Sequence, residues 1–147
     1  MRIAVVAPSC TLDRAAAARL EAMVVERGDC DLRIHPQCFL SDGHFAGPDN
    51  ERLRALREVM ADPAVDAVWF ARGGYGSNRI AEAAASDLPE AARAKTYLGY
   101  SDAGFLHAGF DKAGLKAAWG PMPQDLLRAD GAKTHRARHW PPDPQTH

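Results

Sequence analysis

Hydrophobic residues along this chain fall into short unbroken runs that alternate with longer stretches of mixed character. The unbroken runs are rich in β-branched and aromatic residues, and Pro, Asp or Gly residues follow most of them. Such runs are typical of strands that are buried on both faces of a sheet. The longest such run predicts a strand at residues 2–7, and shorter stretches, some of which include a charged residue such as Arg33 or Lys116, predict strands at 32–35, 66–70, 97–100 and 115–119.

The mixed stretches place apolar residues three or four positions apart, which predicts amphipathic helices. In the first of them, apolar residues from Leu12 to Val24 share one face, and Gly28 is the expected stop. A second helix opens at Pro48 and ends at Asp62–Pro63, because the residue before a proline disfavours the helical conformation. Further helices are predicted at 78–85 and 102–112, a loop at 37–47, and a turn at 71–79 that overlaps the start of the helix at 78–85.

Strands that alternate with helices at this spacing predict an α/β fold. We expect a three-layer, mostly parallel sheet with helices on both faces, of the flavodoxin-like or class I glutamine amidotransferase-like kind. Such sheets carry their functional loops at the carboxyl ends of the strands. The loops concerned are Pro8–Leu12, Arg72–Asn78 and Gly99–Asp102.

The last part of the chain differs in composition from the rest. Residues 1–127 suit one domain, whereas residues 128–147 are basic and rich in proline, and we expect them to be poorly ordered. His135 and His139 have the spacing of a helical metal-binding pair. No third ligand accompanies them, so we interpret the pair as incidental and predict neither a metal nor a cofactor.

Composition narrows the range of partners and compartments. The formal net charge is −1 and the pI about 6.6, which gives no reason to expect nucleic acid or an anionic membrane as a partner. No stretch approaches the roughly 20 apolar residues of a membrane span. The three cysteines, Cys10, Cys30 and Cys38, form no CxxC pair, which favours reduced thiols in the cytoplasm. Cys10 is a minor alternative as a nucleophile.

The turn Arg72-Gly73-Gly74-Tyr75-Gly76 follows a predicted strand and precedes a predicted helix. Glycines there allow positive φ angles and let backbone N–H groups converge on an anion. The spacing matches neither GxGxxG nor the phosphate-binding P-loop, which argues against a nucleotide. An oxyanion hole or a carboxylate pocket is the better functional interpretation, and a tight turn without a ligand is the structural alternative.

The stretch Gly99-Tyr100-Ser101-Asp102 joins a predicted strand to a predicted helix. A serine at such a junction is typical of a nucleophile elbow, although the next glycine, Gly104, comes one position later than in G-x-S-x-G. The alternative is that Ser101 or Asp102 caps the helix. Local residues alone favour the cap.

A serine nucleophile needs a general base. His107 lies six residues after Ser101 on the same predicted helix and therefore on a different face. His44 lies in a predicted loop and stays open as a candidate. The sequence offers no convincing Ser–His–acid set.

Taken together, these segments resemble the N-terminal half of the LD-carboxypeptidase family. The family comprises serine peptidases that remove the terminal D-residue of murein tetrapeptides, with the microcin-C self-immunity peptidases as relatives. The resemblance rests on four segments in the family's order. They are RIAVVAPS at 2–9, the segment 44–80 with its RGGYG turn, YLGYSD at 97–102 and GPM at 120–122.

The resemblance implies roles for individual residues. Ser101 would be the nucleophile, and the backbone N–H groups of Asp102 and Gly74 would form the oxyanion hole. The reaction would be cleavage of an L,D-peptide bond in cytoplasmic murein recycling, without metal or cofactor. The substrate pocket would be shaped by Arg72, Gly73 and Tyr75.

The chain also departs from the family it resembles. Similar proteins are about twice as long, and their second domain supplies a glutamate and a histidine that have no matching positions here. We therefore expect a truncated form with little activity alone, and a truncated or frame-shifted reading frame is our hypothesis for the tail. A non-catalytic module that binds peptides or carboxylates is the alternative function. Expected partners are a murein peptide and either a second copy of the chain or a separate chain with the missing domain.

Overall fold

Five strands form one sheet in which every pair of neighbours runs parallel in the computed structural model, which describes residues 1–128, 130 and 131. The strand order is β2-β1-β3-β4-β5, the order of flavodoxin-like sheets. The α/β prediction is confirmed. Most of the tail prediction concerns 129 and 132–147, which lie outside the described residues. The strands are β1 (Arg2–Val6), β2 (Asp31–Ile34), β3 (Ala67–Phe70), β4 (Thr96–Gly99) and β5 (Lys116–Trp119).

Four α-helices connect the strands, close to their predicted positions. The first ends as predicted, because Gly28 adopts a φ of 75° and its N–H donates to Val24 O. Its start was predicted too early: Leu12 precedes the helix and its N–H donates to Cys38 O. The helices are α1 (Arg14–Arg27), α2 (Asp49–Ala61), α3 (Ala81–Ala85) and α4 (Gly104–Lys112).

Two of the predicted helices begin with a tighter turn than periodicity indicated. The segment 78–85 starts as the 3₁₀ turn Ser77–Arg79, and the segment 102–112 starts as the 3₁₀ turn Ser101–Ala103. Ser77 and Asp102 hydrogen-bond to each other through side chain and backbone. Such bonds compete with the regular helical ladder and favour a short turn at the helix start.

The three central strands β1, β3 and β4 are buried on both faces, as predicted, whereas the edge strands β2 and β5 are half-buried or exposed. Alternate residues of each strand point to opposite sides, so that Val68 packs with the core under α2, α3 and α4 and its neighbour Trp69 packs with the core under α1. Both side chains are at most 1% exposed. The helices on one face, the sheet, and the helix on the other face make the three layers.

The strand order creates a crevice at the carboxyl ends of β1 and β3, where the chain turns to opposite sides of the sheet. Gln37 fixes one wall of this crevice. Its Nε2 donates to Ala7 O (2.7 Å) and Ala46 O (2.8 Å), and its Oε1 accepts from Ala7 N (3.0 Å). The buried amide therefore holds the end of β1 against the loop that precedes α2.

Among the described residues, no helix combines the length and the hydropathy that crossing a bilayer requires. Nor does this part of the chain bring three or more His, Cys, Asp or Glu side chains together in a metal-binding group. The pair His135 and His139 lies outside it.

Candidate active site

The three loops predicted to carry function meet at the carboxyl edge of the sheet. The carboxylate of Asp102 joins them: it accepts the hydroxyl of Ser9 (2.5 Å) from the loop after β1 and the N–H of Ser77 (3.0 Å) from the loop after β3. Ser77 Oγ donates to Asp102 O in return. All three residues are buried, so the loops are locked together below the surface.

Ser101 stands at the tip of the loop after β4 in a strained conformation. Its φ is 58°, which L-residues adopt at a cost of order 1 kcal/mol or more. The residue is exposed, and no side-chain cap stabilises the 3₁₀ turn or α4. The carboxylate of Asp102 is used by Ser9 and Ser77. The helix-cap interpretation is therefore wrong for both residues, and the geometry is that of a nucleophile elbow.

The glycine turn packs between Ser101 and the loop after β1. A Cβ on Gly73 would lie 3.2 Å from Ser101 Oγ, a tight contact, so the turn lies directly against the hydroxyl. Gly74 has a φ of 103°, and a Cβ there would lie 2.3 Å from Cys10 Sγ. In the described part of the chain, no hydrogen bond uses the N–H of Gly74. This N–H is thus unused by the described fold.

The side chains of the turn lie on the surface. Arg72 is half-buried, and its Nη1 donates to Thr11 O (3.1 Å) and lies 3.7 Å from Asp13 Oδ1. Tyr75 is 73% exposed. Arg72 thus links the loops after β1 and β3, and Tyr75 is open to a ligand.

Histidine does not complete the site within the described residues. His107 is 2% exposed, and its Nε2 donates to Gly99 O (3.1 Å), so its ring supports the end of β4 from inside the core. His44 is exposed at the tip of a turn closed by two hydrogen bonds between Asp42 and Phe45. Neither imidazole hydrogen-bonds to Ser101.

Comparison with protein families assigns the domain that carries this crevice. The family model described as the LD-carboxypeptidase N-terminal domain matches residues 3–120, which include the glycine turn and the elbow. The chain belongs to the LD-carboxypeptidase family. The resemblance inferred from the sequence is confirmed.

Other LD-carboxypeptidase relatives place the match in context. A Streptomyces coelicolor protein with "carboxypeptidase" in its name is 38% identical over 151 residues, covering 97% of this chain and 48% of the relative. The murein tetrapeptide carboxypeptidase of Pseudomonas aeruginosa is 29% identical over 126 residues, which cover 85% of this chain and 40% of the P. aeruginosa protein. The chain thus spans about half the length of the curated relatives it matches.

A solved structure supports the same fold. The muramoyltetrapeptide carboxypeptidase of Oxalobacter formigenes superposes with a TM-score of 0.73 at 27% identity, covering 88% of this chain and 43% of that structure. Its likeness extends over most of the described sheet and helices. The three-layer architecture is therefore that of a carboxypeptidase of known structure.

One residue of this LD-carboxypeptidase domain was missed by sequence reasoning. Arg52 follows Asn50 and Glu51 on α2 and looks like part of a solvated charged face, yet it is 0% exposed. Its guanidinium donates to the backbone carbonyls of Gly47, Pro8 and Gly76. No local signal marks this burial, because Pro8 lies 44 residues away along the chain.

A cavity of about 280 Å³ adjoins the elbow of the LD-carboxypeptidase domain, and sequence reasoning missed it too. Tyr100, which precedes Ser101, lies in its wall, and the Tyr100 hydroxyl donates to Asp125 Oδ1 (2.9 Å). Trp119, from the end of β5, forms an apolar side of the cavity and is 63% exposed. The cavity places polar and aromatic groups next to the predicted nucleophile.

The buried imidazole of His107 predicts a pH dependence of stability. Burial lowers the pKa of His107, since the protonated ring would carry an Nδ1–H with no acceptor among the described residues. A folded-state pKa below the unfolded value of 6.5 means that the unfolded chain binds the proton more readily. We expect stability to fall as the pH drops through and below about 6.5.

Urea unfolding at pH 7.5 and at pH 5.5 tests this expectation in the wild type and in His107→Gln. The glutamine amide can still donate to Gly99 O but does not titrate. The variant should lose less stability than the wild type between the two pH values. Equal losses would contradict the assignment.

Proposed function

We propose that this chain carries the nucleophile-bearing domain of a serine-type LD-carboxypeptidase. The reaction is hydrolysis of the L,D-peptide bond that releases the terminal D-alanine of a murein tetrapeptide in the cytoplasm. The observation that carries the proposal is the elbow, where an exposed Ser101 with a φ of 58° lies against Gly73 at the carboxyl end of β4. The names of the P. aeruginosa and O. formigenes relatives support the substrate.

In the proposed mechanism, Ser101 Oγ attacks the carbonyl carbon of the L,D-bond and its proton passes to a general base. The resulting oxyanion accepts hydrogen bonds from the N–H groups of Asp102 and Gly74, which are rigid and cost no reorganisation. The C–N bond then breaks, the leaving amine takes the proton, and water hydrolyses the acyl-enzyme. Arg72 and Tyr75 flank the bound peptide.

The general base is the missing part of this mechanism. His107 is committed to Gly99 O inside the core, and His44 makes no described contact with the elbow. We propose that the base comes from a glutamate–histidine pair outside the described domain, as in the family pattern. A positioned base contributes about 10²–10⁴-fold, so we expect the described domain alone to turn over slowly.

A non-catalytic module that binds peptides or carboxylates is the second candidate. It is favoured by one observation, namely that no histidine hydrogen-bonds to Ser101 within the described residues. Such a module would keep the pocket and the N–H donors without using the serine.

A serine-directed fluorophosphonate separates the two candidates. The proposal predicts one covalent adduct at Ser101, found by peptide mass spectrometry, which disappears in Ser101→Ala and persists in Ser41→Ala, a control at an exposed loop serine. Release of D-alanine from L-Ala-D-Glu-meso-diaminopimelate-D-Ala, measured in parallel, reports turnover. Saturable binding of this peptide without any adduct at Ser101 would favour the binding module.

A further inference from the structure

Two buried charged side chains, Arg52 and Asp102, hold the same two loops of the crevice. We propose that they act as a two-sided clamp that positions the glycine turn, residues 72–76, against Ser101. The clamp is a set of positioning residues for the serine chemistry proposed above, and it rests on that proposed function. Neither the charged run on α2 nor the elbow motif suggests it.

Arg52 forms the first side of the clamp. Its Nη1 donates to both Pro8 O (2.6 Å) and Gly76 O (2.8 Å), and Nε donates to Gly47 O (3.1 Å). Its Nη2 is paired with Asp49, and the guanidinium lies 4.9 Å from the ring centre of Phe45. One cation therefore satisfies three backbone carbonyls from three different loops.

Asp102 forms the second side. Its Oδ2 accepts the hydroxyl of Ser9 (2.5 Å) and the N–H of Ser77 (3.0 Å). Each loop is thus held at two consecutive residues, the first by Arg52 and the second by Asp102. Pro8 and Ser9 belong to the loop after β1, and Gly76 and Ser77 to the loop after β3.

Both hydrogen bonds to the loop after β3 are made to a single peptide unit. The carbonyl of Gly76 and the N–H of Ser77 belong to one peptide bond, and in a trans peptide they point in opposite directions. Arg52 binds the carbonyl and Asp102 binds the N–H, so this peptide plane can neither rotate nor shift without losing a charge-assisted hydrogen bond.

The clamp connects this peptide plane to the reacting serine. Asp102 directly follows Ser101, so the residue that holds the glycine turn also lies next to the nucleophile. The turn is short, and Gly73 and Gly74 lie within three residues of the gripped peptide. The relative position of Ser101 Oγ and the N–H of Gly74 is therefore set by the clamp. Oxyanion donors contribute to catalysis only when they are held in place beforehand.

A peptide boronic acid tests the clamp without needing a general base. The probe is the murein peptide with boronic acid in place of the terminal amide carbonyl. Its boron forms a bond to Ser101 Oγ, the serine proton passes to solvent, and the tetrahedral boronate places an oxygen at the oxyanion position. Ground-state affinity is measured separately, as the binding of the peptide substrate to the same proteins carrying Ser101→Ala.

Three variants probe the clamp: Arg52→Lys, Asp102→Asn and Ser9→Ala. Arg54→Lys is the control, since Arg54 lies on the same helix with its side chain 70% exposed. We expect boronate affinity to fall at least tenfold in Arg52→Lys and Asp102→Asn and severalfold in Ser9→Ala, with peptide affinity within twofold and Arg54→Lys unchanged. Ser9→Ala removes one contact with little change of volume and stays informative should the other two fail to fold.

The outcomes separate the clamp from the proposed function. If the wild type forms no adduct with the boronate at Ser101, the proposed function falls and the clamp with it. If the wild type forms the adduct and Ser9→Ala and the other folded variants bind the boronate as tightly, the clamp alone is overturned. Equal losses of boronate and peptide affinity would show a general structural role and would also overturn it.

Discussion

Gly74→Ala is expected to lower the free energy of unfolding by about 2–4 kcal/mol and to slow modification of Ser101 by a fluorophosphonate at least tenfold. Two independent costs add at this position. The φ of 103° is unfavourable for alanine, and the new Cβ would lie 2.3 Å from Cys10 Sγ. Rotation of the Cys10 side chain relieves only part of this contact, since Cys10 Cβ also lies 3.3 Å away. The turn that carries the Gly74 N–H therefore shifts, and reactivity falls together with stability.

Gly28→Ala is the matched control for this prediction. Gly28 also has a positive φ, 75°, but a Cβ there would meet nothing within 4 Å. Gly28→Ala should lower the free energy of unfolding by only about 1 kcal/mol and leave modification of Ser101 unchanged. In the double variant Gly74→Ala/Cys10→Ala, the part of the lost stability that comes from the steric contact should be recovered. The part that comes from the positive φ should remain. Urea unfolding that shows the same loss for Gly74→Ala and Gly28→Ala would refute the steric argument.

Trp69→Ala is expected to destabilise the domain by about 3–5 kcal/mol. Trp69 lies on β3 in the middle of the sheet, is 1% exposed, and is the largest fully buried side chain among the described residues. Its indole Nε1 donates to Pro121 O (2.8 Å), which ties the loop after β5 to the central strand. Truncation would leave a cavity and release that loop.

Trp69→Phe distinguishes the packing of the ring from its hydrogen bond. Phenylalanine keeps much of the apolar volume but has no N–H for Pro121, so we expect a loss nearer 1–2 kcal/mol. Met122 comes directly after Pro121 in this loop, and its side chain lies 3.4 Å from where a Cβ on Gly73 would be. Modification of Ser101 should therefore slow in Trp69→Phe as well. Thermal unfolding and labelling rates measured on one sample check both effects, and an unchanged labelling rate would show that the loop is held without Trp69.

The strands and helices could be predicted from the sequence because their signals are local. The apolar run of β1 and the stop at Gly28 depend on neighbouring residues alone. Arg52 could not be placed in this way, since the carbonyls that hold it belong to Pro8 and Gly76, 44 and 24 residues away. Its burial is a property of the assembled crevice.

The elbow shows the same limit at the candidate site. The residues that neighbour Ser101 favour a helix cap over a nucleophile elbow, and the φ of 58° decides against the cap. The carboxylate that a cap would have used is instead held by Ser9, 93 residues away. The family resemblance predicts the elbow, and the long-range partner explains why Asp102 does not cap the helix.

The side-chain amide of Gln37 has a consequence for how this domain can vary. It hydrogen-bonds to the N–H and the carbonyl of Ala7 and to the carbonyl of Ala46. These bonds fix both ends of the loop at residues 38–45. The tip of that segment, with Gly43 and His44, is exposed. We expect insertions or exchanges at this tip to leave the end of β1 in place, which would let the domain gain new recognition residues there without disturbing the crevice.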